Sequence, residues 1–331
     1  MDLIIADKSG HQILQMLSVE FDCELNDGDR DFDLYLDIRN FDSRIAFGCQ
    51  FFIPDTEIGG IIGRRSADSS LDTVSLTGYT WRGLLQKKIV SPPSGQEYYM
   101  CNGDLHAVAR DLVNDRFGGI IQVPEEDCGV SVTNFQLDRF CTVLEALDAV
   151  FSSVNYKINL VYRVGEPNDV GNVVLTAVPI VDFSNEIEIS GDDQLSYISE
   201  DIQNGVNHLI IGNEDPNTSQ TTLDLYVQPD GKIGTTQYYF GIDEIEEFYS
   251  SGSSAASEVR DKAKEYLLGV ANSTDLDLSI LDLRLDAKIG DIIGGYDYLS
   301  GQEIKQKITN IVYQYKNDEL TKEYKTQKEE S

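Results

Sequence analysis

Val74-Ser75-Leu76-Thr77-Gly78-Tyr79-Thr80-Trp81-Arg82-Gly83-Leu84-Leu85 changes character along its length. Thr73 to Leu76 alternates apolar and polar residues as a half-buried strand does, and within Gly78 to Leu85 the strand passes into a short helix. Trp81, the one tryptophan, sits at that junction. An aromatic there serves either as a sugar-stacking surface or as an anchor beneath a β unit, and its large apolar area favours the anchor. Outward from this stretch, Ile58 to Arg65 followed by Thr73 to Gly78 reads as a hairpin, with Ala46-Phe47-Gly48 before it. A fainter echo follows near the other end, where Lys288-Ile289-Gly290-Asp291 precedes a strand and Ile304 to Tyr315 with Glu319 to Lys325 makes a second hairpin. The order of events is similar, although small β units share such spacing by chance as well as by duplication.

Residues 1–95 form an all-β unit, closed by the turn Ser91-Pro92-Pro93-Ser94-Gly95. Residues 96–182 are mixed α/β. Asp104 caps a helix with Leu105, Val108, Ala109, Leu112 and Val113 on one face, and Thr142-Val143-Leu144-Glu145 is a capping box opening a second helix. Strands follow at Lys157 to Tyr162 and Asn172 to Val178. A second β portion spans 183–240, with strands at Glu186 to Ile189, Gln194 to Ser199, His208 to Ile211 and Thr221 to Val227. A helical insertion at 241–274 interrupts it, strands resume over 275–326, and 327–331 is a flexible tail.

The chain has 331 residues, 57 Asp and Glu against 26 Lys and Arg, and a formal net charge of −31. Such a surface repels phosphate backbones and anionic headgroups, which argues against sequence-specific nucleic-acid binding and membrane docking but not against DNA sliding past. The start, MDLIIADKSG, lacks the basic and long apolar regions of a secretory signal, and no run of about 18 apolar residues suggests membrane insertion, so a soluble chain is expected. Cys23, Cys49, Cys101, Cys128 and Cys141 are odd in number and widely spaced, as reduced, buried thiols would be.

No catalytic, cofactor-binding or metal-ligating residue is assigned. His11, His106 and His208 each stand alone in their segments, and His106 beside an apolar helix face reads as a structural, hydrogen-bonded histidine. His-Glu-x-x-His and Cys-x-x-Cys are missing, so a zinc site would need residues from distant segments. Neither a Gly-x-Ser-x-Gly elbow nor a phosphate-binding Gly-x-x-x-x-Gly-Lys-Ser/Thr occurs. Gly59-Gly60-Ile61-Ile62-Gly63 lies in apolar strand and suits a bulge or close packing. Asp27-Gly28-Asp29-Arg30-Asp31-Phe32-Asp33 places carboxylates at alternate positions as a calcium loop does, but Phe32 replaces its glycine and Ile38 its terminal Glu. That run, Glu166 to Asp169 and Asn213 to Asn217 read as solvated acidic turns.

The passage from Gly60-Ile61-Ile62 through Val74 to Pro93 resembles the tail-hub family of long-tailed bacteriophages and their prophage remnants, relatives of contractile-tail baseplate hubs. Phe32-Asp33-Leu34-Tyr35-Leu36 is similar to the family's early strand. Asn204-Gly205-Val206-Asn207-His208, Ile289-Gly290-Asp291-Ile292-Ile293 and Lys307-Ile308-Thr309-Asn310-Ile311 are similar to its second barrel. The resemblance implies an α+β, β-rich chain with two small β-barrel-like domains, residues 1–95 and the split 183–240 and 275–326, plus α/β insertions. It implies a homotrimeric ring whose two barrels per chain imitate six-fold symmetry. The ring would join a hexameric tail tube to distal tail, tip and fibre proteins and let DNA pass. It also implies a virion tail-tip location after assembly in the host cytoplasm, no cofactor and no membrane insertion. Because the chain stops soon after its last strands, a hub without lytic activity is expected. The alternatives are a tail-tip peptidoglycan hydrolase, suggested by the acidic clusters and the lone Trp81, and a carbohydrate-binding receptor module that uses Trp81.

Overall fold

The computed structural model of the chain describes residues 3–16, 19–26, 32–114, 116–165, 170–184, 195–202, 204–212, 223–229, 231–250, 256–281, 285–297 and 302–327. The N-terminal strands are β1 (Leu3–Ala6), β2 (Gln12–Met16), β3 (Glu20–Leu25), β4 (Phe32–Asp37), β5 (Gln50–Phe52), β6 (Gly59–Asp68) and β7 (Thr73–Thr80). Their period of two sets their faces. In β4, Phe32, Leu34 and Leu36 are buried, whereas Asp33, Tyr35 and Asp37 turn toward solvent. At the end of β7 the Thr80 side chain accepts the Gly83 amide (3.1 Å) and caps α1 (Trp81–Gln86). The cap ends the strand by satisfying a free helix amide, and it drives Trp81 beneath the sheet, fully buried with its ring 5.7 Å from that of Tyr162.

The middle segment holds β8 (Met100–Asp104), α2 (Leu105–Val113), β9 (Ile121–Gln122), β10 (Ser131–Gln136), α3 (Val143–Ser152), β11 (Tyr156–Arg163) and β12 (Asn172–Pro179). Both helices begin where their caps place them. Asp104 Oδ1 accepts the His106 amide at 2.9 Å; Thr142 Oγ1 accepts the Glu145 amide at 3.1 Å while Glu145 Oε2 accepts the Thr142 amide at 2.7 Å. Their apolar faces pack with β9, β11 and β12 into one core that reaches Trp81 and Phe52.

The remaining elements are β13 (Leu195–Ile202), β14 (His208–Gly212), β15 (Leu223–Val227), β16 (Ile233–Gly234), β17 (Glu246–Ser250), α4 (Ala256–Val270), β18 (Ser273–Leu281), β19 (Ile292–Asp297), β20 (Gln302–Lys316) and β21 (Glu319–Gln327). The chain divides into two compact units, Met1–Ser196 with Leu278–Ser331, and Tyr197–Asp277. In the second, strands run in the order β16-β15-β14-β17 with β14 and β17 parallel. Val259, Ala263, Leu267 and Ala271 of the helical segment share a core with Leu209, Ile211, Leu225 and Val227.

Twelve strands form one sheet in the order β13-β18-β21-β20-β3-β4-β7-β6-β5-β1-β2, with β19 paired to β20. The fold is α+β and β-rich. No closed barrel occurs among the described strands, and the early and late β portions are joined through antiparallel pairing of Phe21–Leu25 with Ile311–Tyr315. A common core beneath the junction includes Phe21, Leu34, Leu76, Ile293, Ile308 and Tyr324.

Within this path one arrangement occurs twice. The order β3-β4-β7-β6-β5 is matched by β13-β18-β21-β20-β19. In the first copy the Gly48 amide donates to the Ile62 carbonyl, the Ile62 amide to the Cys49 carbonyl and the Cys49 amide to the Ala46 carbonyl (2.8, 2.9 and 3.1 Å). In the second, Gly290 donates to Ile308, Ile308 to Asp291 and Asp291 to Lys288 (2.8, 2.8 and 3.0 Å). Both glycines have φ near +90° (Gly48 +87°, Gly290 +90°), a conformation that side chains disfavour. The register shifts just after the matched residue in each hairpin, between Ile62 and Arg64 and between Ile308 and Asn310. Arg64 then faces Thr77, which faces Asp33; in the same way Asn310 faces Lys325, which faces Ser279. Two segments that share a loop, a bulge at the equivalent residue and a five-strand order constitute an internal repeat.

Candidate functional site

Several residues singled out in the sequence take structural places. Trp81 has no exposed surface, so it cannot stack on a sugar. His106 is buried; its Nδ1 lies 2.7 Å from the Glu126 carbonyl and therefore donates, leaving Nε2 to accept the Ala177 amide at 3.2 Å. His11 lies in an exposed turn with Nδ1 3.6 Å from Asp7. Gly59 and Gly60 run through β6, where a Cβ on Gly59 would press on the Trp81 indole. All five cysteines are free thiols, and burial pushes the Cys101 thiol up to about 11. Residues 27–31 of the calcium-like run, Glu166 to Asp169, Glu186 to Ile189 and Asn213 to Asn217 lie outside the described residues.

His208 is different, because the fold surrounds it with carboxylates from other segments. It opens β14; the parallel register sets it beside Glu246 at the start of β17, and the antiparallel register sets it beside Tyr226 of β15. The Tyr226 ring stacks on the imidazole with centroids 4.3 Å apart. Nδ1 lies 2.8 Å from Glu244 Oε1 and 3.2 Å from Glu246 Oε1, and Nε2 lies 3.3 Å from Asp224 Oδ1. The ring is 9% exposed, Glu244 is half-buried and Glu246 is open to solvent. Neighbouring residues hold the segment that carries these acids. Asn207 Nδ2 donates to the Asp243 carbonyl (2.7 Å) and its Oδ1 accepts the Ile245 amide (3.0 Å), while Gln237 Nε2 donates to Glu244 Oε1 (2.6 Å). His208, Glu244 and Glu246 are the one set of three potential metal ligands among the described residues. Sequence reading misses it because the parallel pairing that assembles it is not local.

A second feature is a sheet edge. Gly59 to Ile61, the first residues of β6, have β5 on their outer side; beyond Arg64 the strand pairs, among the described residues, with β7 alone, and Gly63 to Asp68 are exposed throughout. The equivalent residues in the second repeat, Ile311 to Tyr315, have that edge covered by β3. At the far end of the sheet, β13 has β18 as its single neighbour among the described residues. Unpaired edges of this kind are templates for another strand.

No family model matches the sequence, and no curated protein matches it. Solved structures do match, over essentially the whole chain. The 43 kDa tail protein of the prophage MuSo2 from Shewanella oneidensis is 15% identical, covers 99% of this chain and 98% of its own, and superposes with a TM-score of 0.55. The prophage tail protein gp18 from Listeria monocytogenes is 12% identical, covers 100% of this chain and 96% of its own, with a TM-score of 0.50. With nearly complete coverage of both chains, this chain shares its fold with these prophage tail proteins.

Proposed function

We propose that this chain is a non-enzymatic structural protein of a bacteriophage or prophage tail tip, three copies of which form a ring that joins the tail tube to the distal tail proteins. The observation that carries the reading is the internal repeat with its one covered and one open junction. Inside the chain, β3 of the first repeat docks on β20 of the second. By the repeat's equivalences, β13 corresponds to β3 and the outer edge of β6 beyond Arg64 corresponds to the edge of β20 that β3 covers. The same docking between copies, β13 of one protomer on β6 of the next, is head-to-tail and closes into a ring if the rotation permits. With two repeats in each chain, three chains present six similar units, which suits a six-fold tube above and three-fold proteins below. The excess of 57 carboxylates over 26 cations would let DNA pass such a ring without being held.

Light scattering on the purified chain up to about 100 μM tests this, since weak rings dissociate on dilution. A particle of three times the 36.9 kDa chain mass is expected, with amide exchange slowed at 64–68 and 195–202 relative to the dilute protein. A chain that stays monomeric even with tail-tube protein added, or a trimer that protects other strands, refutes the proposal. Clearing of peptidoglycan by the pure protein would favour a hydrolase instead.

A further inference from the structure

We propose that His208, Glu244 and Glu246 bind one divalent transition-metal ion of the zinc class, with Asp224 fixing the imidazole from behind. This inference stands independently of the tail-tip reading. A neutral imidazole has one N–H and one lone pair, yet among the described residues the polar partners of both its ring nitrogens are carboxylate oxygens, at 2.8 and 3.2 Å from Nδ1 and 3.3 Å from Nε2. In either tautomer one nitrogen of a ring that is 91% buried therefore aims its lone pair at acceptors and has no donor. A proton would satisfy the ring but leave three carboxylates around a single positive charge. A dication bound by the neutral ring offsets two of those charges and uses the lone pair directly.

The geometry suits that ion. The three ligand atoms lie within 4.8 Å of one another. Around a tetrahedral zinc with bonds of about 2.0–2.2 Å, neighbouring ligand atoms stand roughly 3.4 Å apart, so the pairs at 2.8 and 3.2 Å need to open by about 0.6 and about 0.2 Å, within reach of a side-chain rotation. Asp224 accepts the hydrogen bond of Nε2–H and leaves the Nδ1 lone pair facing Glu244 and Glu246, which is the carboxylate–histidine–metal arrangement that raises ligand basicity. Gln237 holds Glu244 in place, and the exposed side of Glu246 leaves room for water as a fourth ligand. A nitrogen ligand and so few side-chain oxygens select against Ca²⁺ and Mg²⁺, which require more oxygen ligands or an octahedral water shell. Bound metal would cross-link the first residue of β14 to the first of β17 and to the segment before it.

The test uses the full chain, stripped with chelator and titrated with Zn²⁺ by calorimetry and with Co²⁺ by visible absorption. One equivalent of Zn²⁺ should bind, Co²⁺ should give the intense bands of a low-coordinate site, and Zn²⁺ but not Ca²⁺ should raise the melting temperature. Glu246→Gln, at an exposed position that leaves the fold intact, should weaken Zn²⁺ at least about 10-fold, and Asp224→Asn should weaken it by about 10- to 100-fold. Zn²⁺ binding that is unchanged in Glu246→Gln, Ca²⁺ binding as tight as Zn²⁺, or no Zn²⁺ binding at all would overturn the proposal.

Discussion

Asp291 offers a severe test of how the late β portion is fastened to the middle of the chain. Its carboxylate is 1% exposed and meets three donors: Oδ1 accepts the Val181 amide at 2.8 Å, Oδ2 accepts the Lys288 amide at 2.8 Å, and the Lys157 ammonium of β11 forms a buried ion pair with it. Asp291→Ala leaves a buried cation without a counter-charge and two amides without acceptors. Breaking one side of a buried pair costs about 3–5 kcal/mol, and each stranded amide adds up to about 1–3 kcal/mol where water cannot reach it. We expect a loss of about 4 kcal/mol or more, a large share of the roughly 5–15 kcal/mol that stabilises a domain. Lys157→Met should cost less, because Asp291 keeps both amide donors.

The loss should also depend on pH. Burial already lowers the pKa of Lys157 below 10.5, and hydrogen bonding and charge from Asp291 oppose that shift. Without Asp291 the folded-state pKa falls further, so the unfolded chain binds more protons and stability rises with pH between the folded and unfolded values. The deficit of Asp291→Ala should therefore shrink from about pH 7 to about pH 9.5. Urea unfolding followed by Trp81 fluorescence reports on this unit, because Trp81 is its buried anchor. A deficit below about 1 kcal/mol, one that grows with pH, or a Lys157→Met variant as unstable as Asp291→Ala would refute the reasoning.

Gly78→Ala should destabilise by about 2–3 kcal/mol, since a Cβ would collide with the Ile61 carbonyl opposite, whereas Gly63→Ala in the neighbouring strand meets no atom and should cost under about 1 kcal/mol; thermal melts of the two variants decide. Cys101, with its thiol at about 11 and 2% exposed, should react with a disulfide reagent near pH 8 many times more slowly in the folded than in the unfolded protein, as thiol counting against time will show. Asp37 and Asp42 are held at about 2 by hydrogen bonds from the side chains of Arg39 and Arg44, so NMR titration should find both ionised until near that pH, and Arg39→Gln should return Asp37 toward 3.8. Their depressed values place any stability they contribute above pH 3.8, lost as the pH falls through about 2.

What could be read from the sequence was local. Asp104 and the Thr142–Glu145 box fixed helix starts because a cap needs only residues two or three positions away. The hairpins of Ile58 to Gly78 and Ile304 to Lys325 declared themselves by alternation, and the second turns through Asn317 and Asp318, both at positive φ (53° and 64°). Trp81 was legible as an anchor by its size. The pairing of Phe21–Leu25 with Ile311–Tyr315 was not, because alternation says which face a strand buries and nothing about its neighbour across nearly the whole chain. That is why the β-rich, barrel-like character was legible and the joining of its early and late strands in one sheet was not. His208 failed for the same reason: its acids are separated from it in sequence by 16 residues for Asp224 and 36 for Glu244, beyond any motif spacing.

The repeat has one asymmetry of note. Its first copy links β3 to β4 through residues 26–31, whereas its second links β13 to β18 through nearly all of the unit Tyr197–Asp277. Strands that sit side by side are about 4.8 Å apart, and closure entropy grows only with the logarithm of the tether, so the sheet hardly registers whether a few residues or a whole folded body fills that gap. Evolution, or a protein engineer, can treat the position as a socket: one cassette can be removed and another spliced in while every rung of the ladder on either side keeps its partner.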